Sequence, residues 1–318
     1  MAMKLLVTRP MTDNAQAEIA KHFDVTLHDG GPLNVDQART ALAEYDAVLP
    51  TLGDAFGAEA FANGSPRCRM LANFGVGYNH IDVAAARAAD VMVTNTPDAV
   101  TDATADIAMT LLLMTARRAG EGERLVRAVQ WTGWEPTQML GTHVTGKTVA
   151  IIGMGRIGKA IAARCHNGFG MQVVFFNRST VSAPGVPARQ MPDLHAALAA
   201  ADFAIVAVPG GAGTRGLIDA AALDALGPRG ILINIARGDV VDEDALIAAL
   251  QNHRIAAAGL DVYAREPFVP EALRALENVV LLPHLGTAAE EVRTAMAIRA
   301  LDNLIAFAQG QTPPDLVN

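Results

Sequence analysis

Three glycines near the middle of the chain stand at the spacing G-x-G-x-x-G. Gly153, Gly155 and Gly158 follow the apolar, β-branched segment Thr148–Ile152 and precede an alanine-rich segment of helical period. In such a place the first glycine permits a tight turn, the second lets a pyrophosphate approach the backbone, and the third lets the helix pack closely on the strand. Free N–H groups at the helix start attract phosphate. The context favours dinucleotide binding over an ordinary glycine-rich turn.

The end of the next predicted strand decides which dinucleotide is preferred. An acidic residue there would accept hydrogen bonds from the ribose 2′-hydroxyl of NAD. This chain instead has Asn177, Arg178 and Ser179 after the apolar segment Val173–Phe176. A guanidinium can hold a 2′-phosphate through charge-assisted hydrogen bonds, with Ser179 as a second donor. The segment predicts NADPH as the cofactor and weaker use of NADH, the alternative being that Arg178 is a solvated loop charge.

Short apolar segments alternate with alanine-rich segments of helical period along the whole chain, which is typical of parallel α/β sheets. The candidate strands of the first hundred residues are Lys4–Thr8, Val25–His28, Ala47–Leu49, Met70–Asn73 and Val91–Thr94. Those of the second series are Thr148–Ile152, Val173–Phe176, Phe203–Val208, Ile231–Ile235, Ala256–Leu260 and Val279–Leu282. The pattern predicts the α/β class, with two doubly wound, Rossmann-like parallel-sheet domains and an active-site cleft between them.

The domain boundary is predicted near the turn-rich segment Asn95–Asp98, after which Thr101 or Asp102 can cap a helix through Ala105–Arg117. The last helix, about Ala288–Gln309, can return to the first domain. We therefore expect a discontinuous substrate domain at 1–99 and 288–318 and a dinucleotide-binding domain at 100–287.

Composition excludes several other classes of function. The 318 residues carry 25 Lys plus Arg against 33 Asp plus Glu, a net charge of −8 that disfavours nucleic acid and anionic membranes as partners. The apolar run before Thr8 is too short for a secretory signal, and Ile107–Ala116 is about half a membrane span. Cys68 and Cys165 are far apart, so we expect buried thiols, no disulfide or metal site, and a cytoplasmic protein.

Three later segments, taken with the glycine motif, resemble the D-isomer-specific 2-hydroxyacid dehydrogenase family, particularly its glyoxylate and hydroxypyruvate reductase branch. They are Ile233-Asn234-Ile235-Ala236-Arg237-Gly238, Gly259-Leu260-Asp261-Val262-Tyr263-Ala264-Arg265-Glu266-Pro267 and Leu282-Pro283-His284-Leu285-Gly286-Thr287. The resemblance covers nearly the whole chain. Each segment places a functional group just beyond a predicted strand, where open α/β sheets bind ligands.

The resemblance implies NAD(P)H-dependent reduction of a small 2-keto acid to the D-2-hydroxy acid. Arg237 would pair with the substrate carboxylate, His284 would donate the proton and Glu266 would orient and charge the imidazole. Taken singly, Arg237 can be a surface ion pair, Glu266 a solvated loop charge and His284 a structural histidine. Their joint occurrence at strand ends favours the catalytic interpretation.

The resemblance also implies contacts with the cofactor and substrate. The residues expected at the cofactor are Thr104, Gly153, Gly155, Arg156, Ile157, Gly158, Asn177, Arg178, Ser179, Val208, Thr214, Ile235, Ala236, Asp261 and Gly286. The backbone amides of Val76 and Gly77 are expected to face the substrate carboxylate, a plain glycine-rich turn being the alternative. Thr104 can instead be a helix N-cap, and Asp261 can cap the turn before Glu266. The family often has a Pro-Leu-Thr-like segment where this chain reads Val208-Pro-Gly-Gly-Ala-Gly-Thr214.

Trp131 and Trp134 resemble an arm that reaches a partner's active site in the reductase branch, although packing in the core is an equal alternative. The arm and the apolar helix Ile107–Ala116 together predict a homodimer. Alternative activities are a D-3-phosphoglycerate or 2-ketogluconate enzyme, or a dinucleotide-sensing corepressor on the same fold. The absence of a Lys/Arg cluster beside Gly75–Asp82 favours an unphosphorylated 2-keto acid as substrate.

Overall fold

The structure is a computed structural model that describes residues 2–62 and 64–318. It contains two compact units. We call the first the terminal domain, which comprises the residues before Thr101 together with Thr287–Asn318, and the second the central domain, which comprises Thr101–Gly286.

The elements of both domains are numbered in chain order. The strands are β1 Lys4–Val7, β2 Asp24–Leu27, β3 Ala47–Leu49, β4 Met70–Ala72, β5 Met92–Thr94, β6 Thr148–Ile152, β7 Gln172–Phe176, β8 Ala188–Gln190, β9 Phe203–Val206, β10 Ile231–Asn234, β11 Ala257–Leu260 and β12 Val279–Leu281. The α-helices are α1 Asp13–Ile19, α2 Val35–Glu44, α3 Val83–Ala88, α4 Thr101–Ala116, α5 Ala119–Arg127, α6 Arg156–Phe169, α7 Leu194–Ala199, α8 Ala220–Leu226, α9 Glu243–Gln251, α10 Glu271–Arg274 and α11 Glu290–Ala308.

The terminal domain is built on a parallel sheet of order β2-β1-β3-β4-β5. Successive side chains of a strand point to opposite faces, so Leu5 packs with α1 and α11 on one face while Leu6 packs with α2 and α3 on the other. The hydroxyl groups of Thr12 and Thr294 lie 2.7 Å apart and link the start of α1 to α11. The last helix, α11, thus packs on the sheet of this domain.

The central domain is built on a parallel sheet of order β12-β11-β10-β9-β6-β7-β8. One face packs against α4 and α6, and the other packs against α7, α8 and α9. Because both faces are covered, β6, β9 and β10 are almost completely buried and read as continuous apolar segments. The strand order reverses between β6 and β9, which is where open α/β sheets form their ligand crevice. The predicted doubly wound architecture is confirmed for both sheets.

The sheet of the central domain has seven strands, and the prediction of six was wrong. The additional strand, β8, pairs only with β7 at the edge of the sheet. Its three residues are not buried and two of them are polar, so they lack the apolar signal by which the others were recognised. Several strands also end one or two residues earlier than predicted. Val208, Ile235 and Leu282 lie beyond the last ladder residues, because the apolar character continues into the loops.

The alternative that Trp131 and Trp134 pack in the core was wrong, because the two residues are 54% and 78% exposed. They follow α5, a helix that was not predicted and that buries none of its residues. Conversely, the apolar side chains of Ile107–Ala116 pack against the central sheet as part of α4. That helix therefore gives no support to the predicted homodimer.

Both cysteines are buried and unpaired, as expected, and burial raises the pKa of the Cys68 and Cys165 thiols to about 12. No helix within residues 2–62 and 64–318 is both long enough and apolar enough to cross a membrane.

We expect Gly158→Ala to lower the melting temperature of the protein purified without cofactor. A Cβ at residue 158 would overlap the carbonyl oxygen of Gly153 and would lie 3.1 Å from Cγ2 of Ile151. Since the obstructing oxygen belongs to the backbone, relief requires a shift of the turn, and overpacking of this kind costs about 1–3 kcal/mol of unfolding free energy. Thermal unfolding followed by circular dichroism measures the change.

Gly168→Ala is the matched control, because Gly168 lies on the same helix and a Cβ there would meet nothing within 4 Å. Replacing a helical glycine by alanine in open space should raise the unfolding free energy by about 0.5–1 kcal/mol. Equal melting temperatures for the two variants would contradict the close approach of α6 to β6.

Candidate active site

The turn after β6 has a backbone that requires glycine at its first position. Gly153 has a φ of +104°, and a Cβ there would lie 2.8 Å from the carbonyl oxygen of Ala207 and 2.9 Å from Cγ1 of Val208. The turn therefore packs closely against the segment after β9, at the point where the strand order reverses. Any larger residue would displace one of the two loops.

The second glycine faces open space. Gly155 is the N-cap of α6, and nothing lies within 4 Å of the place that its Cβ would occupy. The first hydrogen bond of the helix joins the amide of Lys159 to the carbonyl of Gly155, at 2.9 Å. The amides of Ile157 and Gly158, in the first turn of α6, therefore donate no hydrogen bond within the described residues. An uncovered backbone beside these amides suits the pyrophosphate of a dinucleotide, so the residues of this turn fit the expected cofactor.

The segment after β7 is held rigidly by an asparagine side chain. Oδ1 of Asn177 accepts a hydrogen bond from the amide of Met154 at 3.3 Å, and Nδ2 donates to the carbonyl and the Oγ of Ser179, both at 3.1 Å. Arg178 is exposed and forms no side-chain hydrogen bond or ion pair with the described residues. Asn177 thus joins the glycine turn to the predicted 2′-phosphate site. The neighbouring guanidinium of Arg178 has no partner among the described residues.

The segment after β9 contains two residues expected at the cofactor. Val208 is half-buried beside Gly153. Thr214 is buried, and its hydroxyl donates to the carbonyl of Pro209 at 2.7 Å. Thr214 therefore closes its own loop, which leaves its hydroxyl proton unavailable to a ligand in this conformation.

The segment after β10 places a guanidinium at the carboxyl edge of the sheet. The side chain of Asn234 donates to the carbonyl of Arg237 and accepts from the amide of Ala236, both at 3.0 Å, which fixes the turn. Ile235 and Ala236 are buried within it. Nothing in the sequence pattern singled out Asn234, because its role depends on a local turn that periodicity does not reveal.

The Arg237 guanidinium is only partly satisfied. Nη1 donates to the carbonyl of Ala236 at 2.7 Å, but the buried Nε has no hydrogen-bond partner among the described residues. Burial lowers the pKa of this guanidinium from its usual value, although the carboxylates of Glu266 and Asp239 oppose that shift. A buried N–H without an acceptor is costly. An acceptor brought by a ligand, such as a carboxylate oxygen, would satisfy this N–H.

The segments after β11 and β12 bring a carboxylate and an imidazole together. Nδ1 of His284 lies 2.8 Å from Oε2 of Glu266, and the other carboxylate oxygen accepts from the amide of Tyr263 at 3.0 Å. Both side chains are about one-third exposed. Burial raises the pKa of Glu266, but the bond to His284 and the amide of Tyr263 outweigh it, so that the net shift is downward. With Nδ1 facing the carboxylate, Nε2 is the ring atom left for a ligand.

The loop that carries His284 is fixed by Asp261, a buried residue at the end of β11. Its two carboxylate oxygens accept from the amides of Leu285 and Gly286, at 2.6 and 2.8 Å, and its carbonyl accepts from the amide of His284 at 2.9 Å. The alternative that Asp261 caps the turn before Glu266 was wrong, because the turn it caps follows β12. Burial raises the pKa of Asp261, and the two amides only reduce that shift.

Two further residues adjoin this carboxylate. A Cβ on Gly286 would lie 3.4 Å from Oδ2 of Asp261 and 3.6 Å from Oγ1 of Thr104, so these three residues are neighbours. Thr104 is the fourth residue of α4, which rules out its interpretation as the N-cap of that helix. Tyr263, which sequence reasoning missed, donates its hydroxyl to the carbonyl of Leu282 at 2.8 Å and so ties the β11 segment to that of β12.

In the terminal domain, the glycine loop after β4 is supported by two asparagines. Nδ2 of Asn73 donates to the carbonyls of Gly75 and Gly77, at 3.0 and 3.1 Å, and Nδ2 of Asn95 donates to that of Val76 at 3.0 Å. In a trans peptide the C=O and N–H point in opposite directions. The amides of Val76 and Gly77 therefore point away from the asparagines that bind their peptide carbonyls, and they donate no hydrogen bond within the described residues.

The comparisons with known proteins agree on one family. Residues 109–286 match the sequence model of the D-isomer specific 2-hydroxyacid dehydrogenase NAD binding domain. A glyoxylate reductase from Thermococcus kodakarensis is 42% identical over 330 residues, covering 100% of this chain and 97% of that protein. One from Pyrococcus furiosus is 41% identical over 324 residues, covering 100% of this chain and 96% of that protein.

The similarity to solved structures extends over both domains. The NADPH-dependent glyoxylate/hydroxypyruvate reductase from Sinorhizobium meliloti, solved in complex with NADP and malonate, is 34% identical with a TM-score of 0.86. The alignment covers 100% of this chain and 97% of that chain.

We expect the stability difference between the wild type and Glu266→Gln to shrink as the pH falls from about 5.5 to about 3. The lowered pKa of Glu266 means that its carboxylate stabilises the folded state fully above the usual value of 4.5, and that this contribution disappears as the pH falls through the folded-state pKa. A hydrogen bond to a charged group contributes about 1.5–3 kcal/mol. Urea unfolding at a series of pH values measures the difference.

Glu243→Gln is the matched control. The Glu243 carboxylate also accepts a backbone amide of this segment, from Ala264 at 3.3 Å, but it has no histidine partner. The loss of unfolding free energy in Glu243→Gln should be smaller than in Glu266→Gln, because no bond to an imidazole is removed. A difference for Glu266→Gln that does not change with pH would contradict the ion pair.

Proposed function

Because the chain belongs to the D-isomer specific 2-hydroxyacid dehydrogenase family, we propose that it is an NADPH-dependent reductase of glyoxylate and hydroxypyruvate that forms the D-2-hydroxy acid. Family membership carries the coarser part of this statement, a dehydrogenase that uses a nicotinamide dinucleotide and acts on a 2-hydroxy or 2-keto acid. The single observation that carries the choice of a 2-keto acid as substrate is the buried Nε of Arg237, which has no acceptor among the described residues. Arg237 lies on the sheet edge that also holds the His284–Glu266 pair.

Arg237 binds the substrate carboxylate in this proposal. A planar guanidinium can hold a carboxylate through two parallel hydrogen bonds, and the buried Nε supplies a donor that the protein leaves unused. The low local dielectric strengthens this pairing relative to one in water. The cation also draws electron density from the adjacent carbonyl, which prepares the carbon for reduction.

His284 is the proposed proton donor. The carboxylate of Glu266 accepts a hydrogen bond from Nδ1, which orients the ring and directs the Nε2 proton away from the pair, towards a ligand. As the carbonyl carbon is reduced, the Nε2 proton passes to the carbonyl oxygen, so the imidazole of His284 is left neutral and the negative charge of the Glu266 carboxylate remains on the pair. The bound nicotinamide supplies the hydride.

The terminal domain is proposed to contribute the amides of Val76 and Gly77 as further donors to the substrate carboxylate. Support comes from the asparagine side chains that hold the carbonyls of this loop and leave both amides without acceptors. Successive backbone N–H groups of this kind bind anions. Glyoxylate and hydroxypyruvate suit such a site because they are small and carry a single negative charge.

The central domain is proposed to bind NADPH in preference to NADH. Support comes from Arg178, an exposed cation that forms no ion pair with the described residues. The segment that contains it is held by the side chain of Asn177. Neither Asn177 nor Ser179 carries the negative charge that would repel a 2′-phosphate. The related enzyme from Sinorhizobium meliloti, which is NADPH-dependent, agrees with this preference.

A homodimer is proposed as the assembled form. It is supported by the exposure of Trp131 and Trp134 and of Val129, which is 90% exposed, in one segment after α5. Large apolar side chains clustered on a surface are typical of interfaces.

We expect the purified protein to oxidise NADPH, followed near 340 nm, with glyoxylate or hydroxypyruvate in a panel that also contains pyruvate and 2-ketogluconate. His284→Asn should lower the turnover number by about a hundredfold or more, because the proton donor is lost, while binding of NADPH is retained. Asparagine suits the site because His284 has a φ of +56°, a conformation that asparagine tolerates better than most residues.

His253→Asn is the matched control, since His253 is exposed and also has a positive φ, of +53°. It should turn over at the wild-type rate. Turnover by His284→Asn at that same rate would remove His284 from the proposed role, and no oxidation with any of the four keto acids would reject the proposed substrates.

We expect Arg178→Ala to raise the dissociation constant of NADPH by about tenfold or more, because charge-assisted hydrogen bonds to the 2′-phosphate are lost. The constant for NADH, which lacks that phosphate, should change little. Fluorescence titration of each nucleotide measures both constants. Arg189→Ala, which removes an exposed cation from the neighbouring strand β8, should leave both unchanged. Equal weakening of NADPH and NADH by Arg178→Ala would reject the assignment.

A further inference from the structure

The loop after β9 is unusually rich in glycine and lies against the cation of the neighbouring segment. It runs from Val208 to Thr214 and has glycines at 210, 211 and 213. A Cβ on Gly213 would lie 3.6 Å from Nη1 of Arg178. The two residues are 35 positions apart in the sequence, so nothing in the local pattern predicts that they meet.

The topology explains how this contact arises. In the central sheet β6 lies between β7 and β9, and neighbouring strands are about 4.8 Å apart. Arg178 follows β7 and Gly213 follows β9, so their loops meet across the carboxyl end of β6. That end carries the glycine turn of Gly153 and Gly155. The guanidinium of Arg178 therefore stands beside the turn that fits the phosphates of a dinucleotide.

The loop also exposes donors next to this cation. Its internal bonds are donated by Thr214 and Arg215, whose amides reach the carbonyl of Gly211 at 3.0 and 3.1 Å. The amides of residues 210–213 donate no hydrogen bond within the described residues. The hydroxyl of Thr214 anchors the far end of the loop on Pro209. The backbone of the loop is thus fixed at Thr214, and its amides at 210–213 are without acceptors among the described residues. Gly213, the residue next to Arg178, has no side chain.

We propose that Gly213 is a specificity-determining residue for the cofactor: because it has no side chain, the guanidinium of Arg178 and the adjoining amides stay open to the phosphate on the adenosine 2′ position. This inference rests on the proposed preference for NADPH. A methyl group at 213 would make an ordinary contact with Nη1, whereas a carboxylate would pair with the guanidinium and repel the phosphate.

Calorimetric titration of the full-length protein with adenosine 2′,5′-bisphosphate and with adenosine 5′-monophosphate tests this proposal without catalysis. The two ligands differ only in the 2′-phosphate. We expect Gly213→Asp to weaken the bisphosphate by about tenfold or more, the order that one charge-assisted hydrogen bond contributes, and to leave the monophosphate within about twofold. No positive φ constrains Gly213, so the variant should fold, which its melting temperature checks.

Two controls separate charge from other effects. Gly213→Asn adds the same bulk without the charge and should weaken the bisphosphate less than Gly213→Asp does. Gly31→Asp adds the same charge in the terminal domain, where a Cβ would meet nothing within 4 Å, and should leave both ligands unchanged.

Equal weakening of both ligands by Gly213→Asp, or no weakening of either, would overturn the role of Gly213. Failure of the proposed cofactor preference looks different, because the wild type itself would then bind the bisphosphate no more tightly than the monophosphate.

Discussion

The half-buried side chain of Arg237, whose Nε is buried without an acceptor among the described residues, is the constraint on which the rest of the site depends. A charge that is partly removed from water must be compensated, yet the described residues supply only the carbonyl of Ala236 and two carboxylates that act at a distance. The turn fixed by Asn234 holds the guanidinium in this half-satisfied state. An acceptor on a ligand would satisfy the unused Nε, and in the proposed function the substrate carboxylate takes that place.

The His284–Glu266 pair is built differently, because its position depends on backbone rather than on burial. The carboxylate and the carbonyl of Asp261 together accept hydrogen bonds from three consecutive amides of one loop. These bonds hold His284 at a positive φ. Glu266 is held in turn by the amide of Tyr263. The imidazole therefore needs no packing around its ring to be oriented, and it can remain accessible enough to exchange a proton with a ligand.

The parts of this structure that could be predicted are those set by local chemistry. The glycine turn was predictable because two of its glycines meet a steric demand that only glycine satisfies, at 153 by a positive φ and at 158 by a close approach. The buried strands β6 and β10 were predictable because burial on both faces leaves an apolar segment. The short edge strand β8 has no such signal. Asn234 and the turn capped by Asp261 were missed since their roles depend on partners that only the folded backbone identifies.

The positions of the two cations show why a chain of net charge −8 can still suit anionic ligands. Arg178 follows β7 and Arg237 follows β10, at the same edge of one parallel sheet with β6 and β9 between them. Three strand intervals separate the two strands, about 15 Å, which exceeds the Debye length at physiological ionic strength. In the proposed function each cation would therefore act on its own ligand group. Arg178 would do so from an exposed position beside Gly213, and Arg237 from a half-buried one. Attraction at each place would then be local, and the overall charge of the chain would have little influence on it.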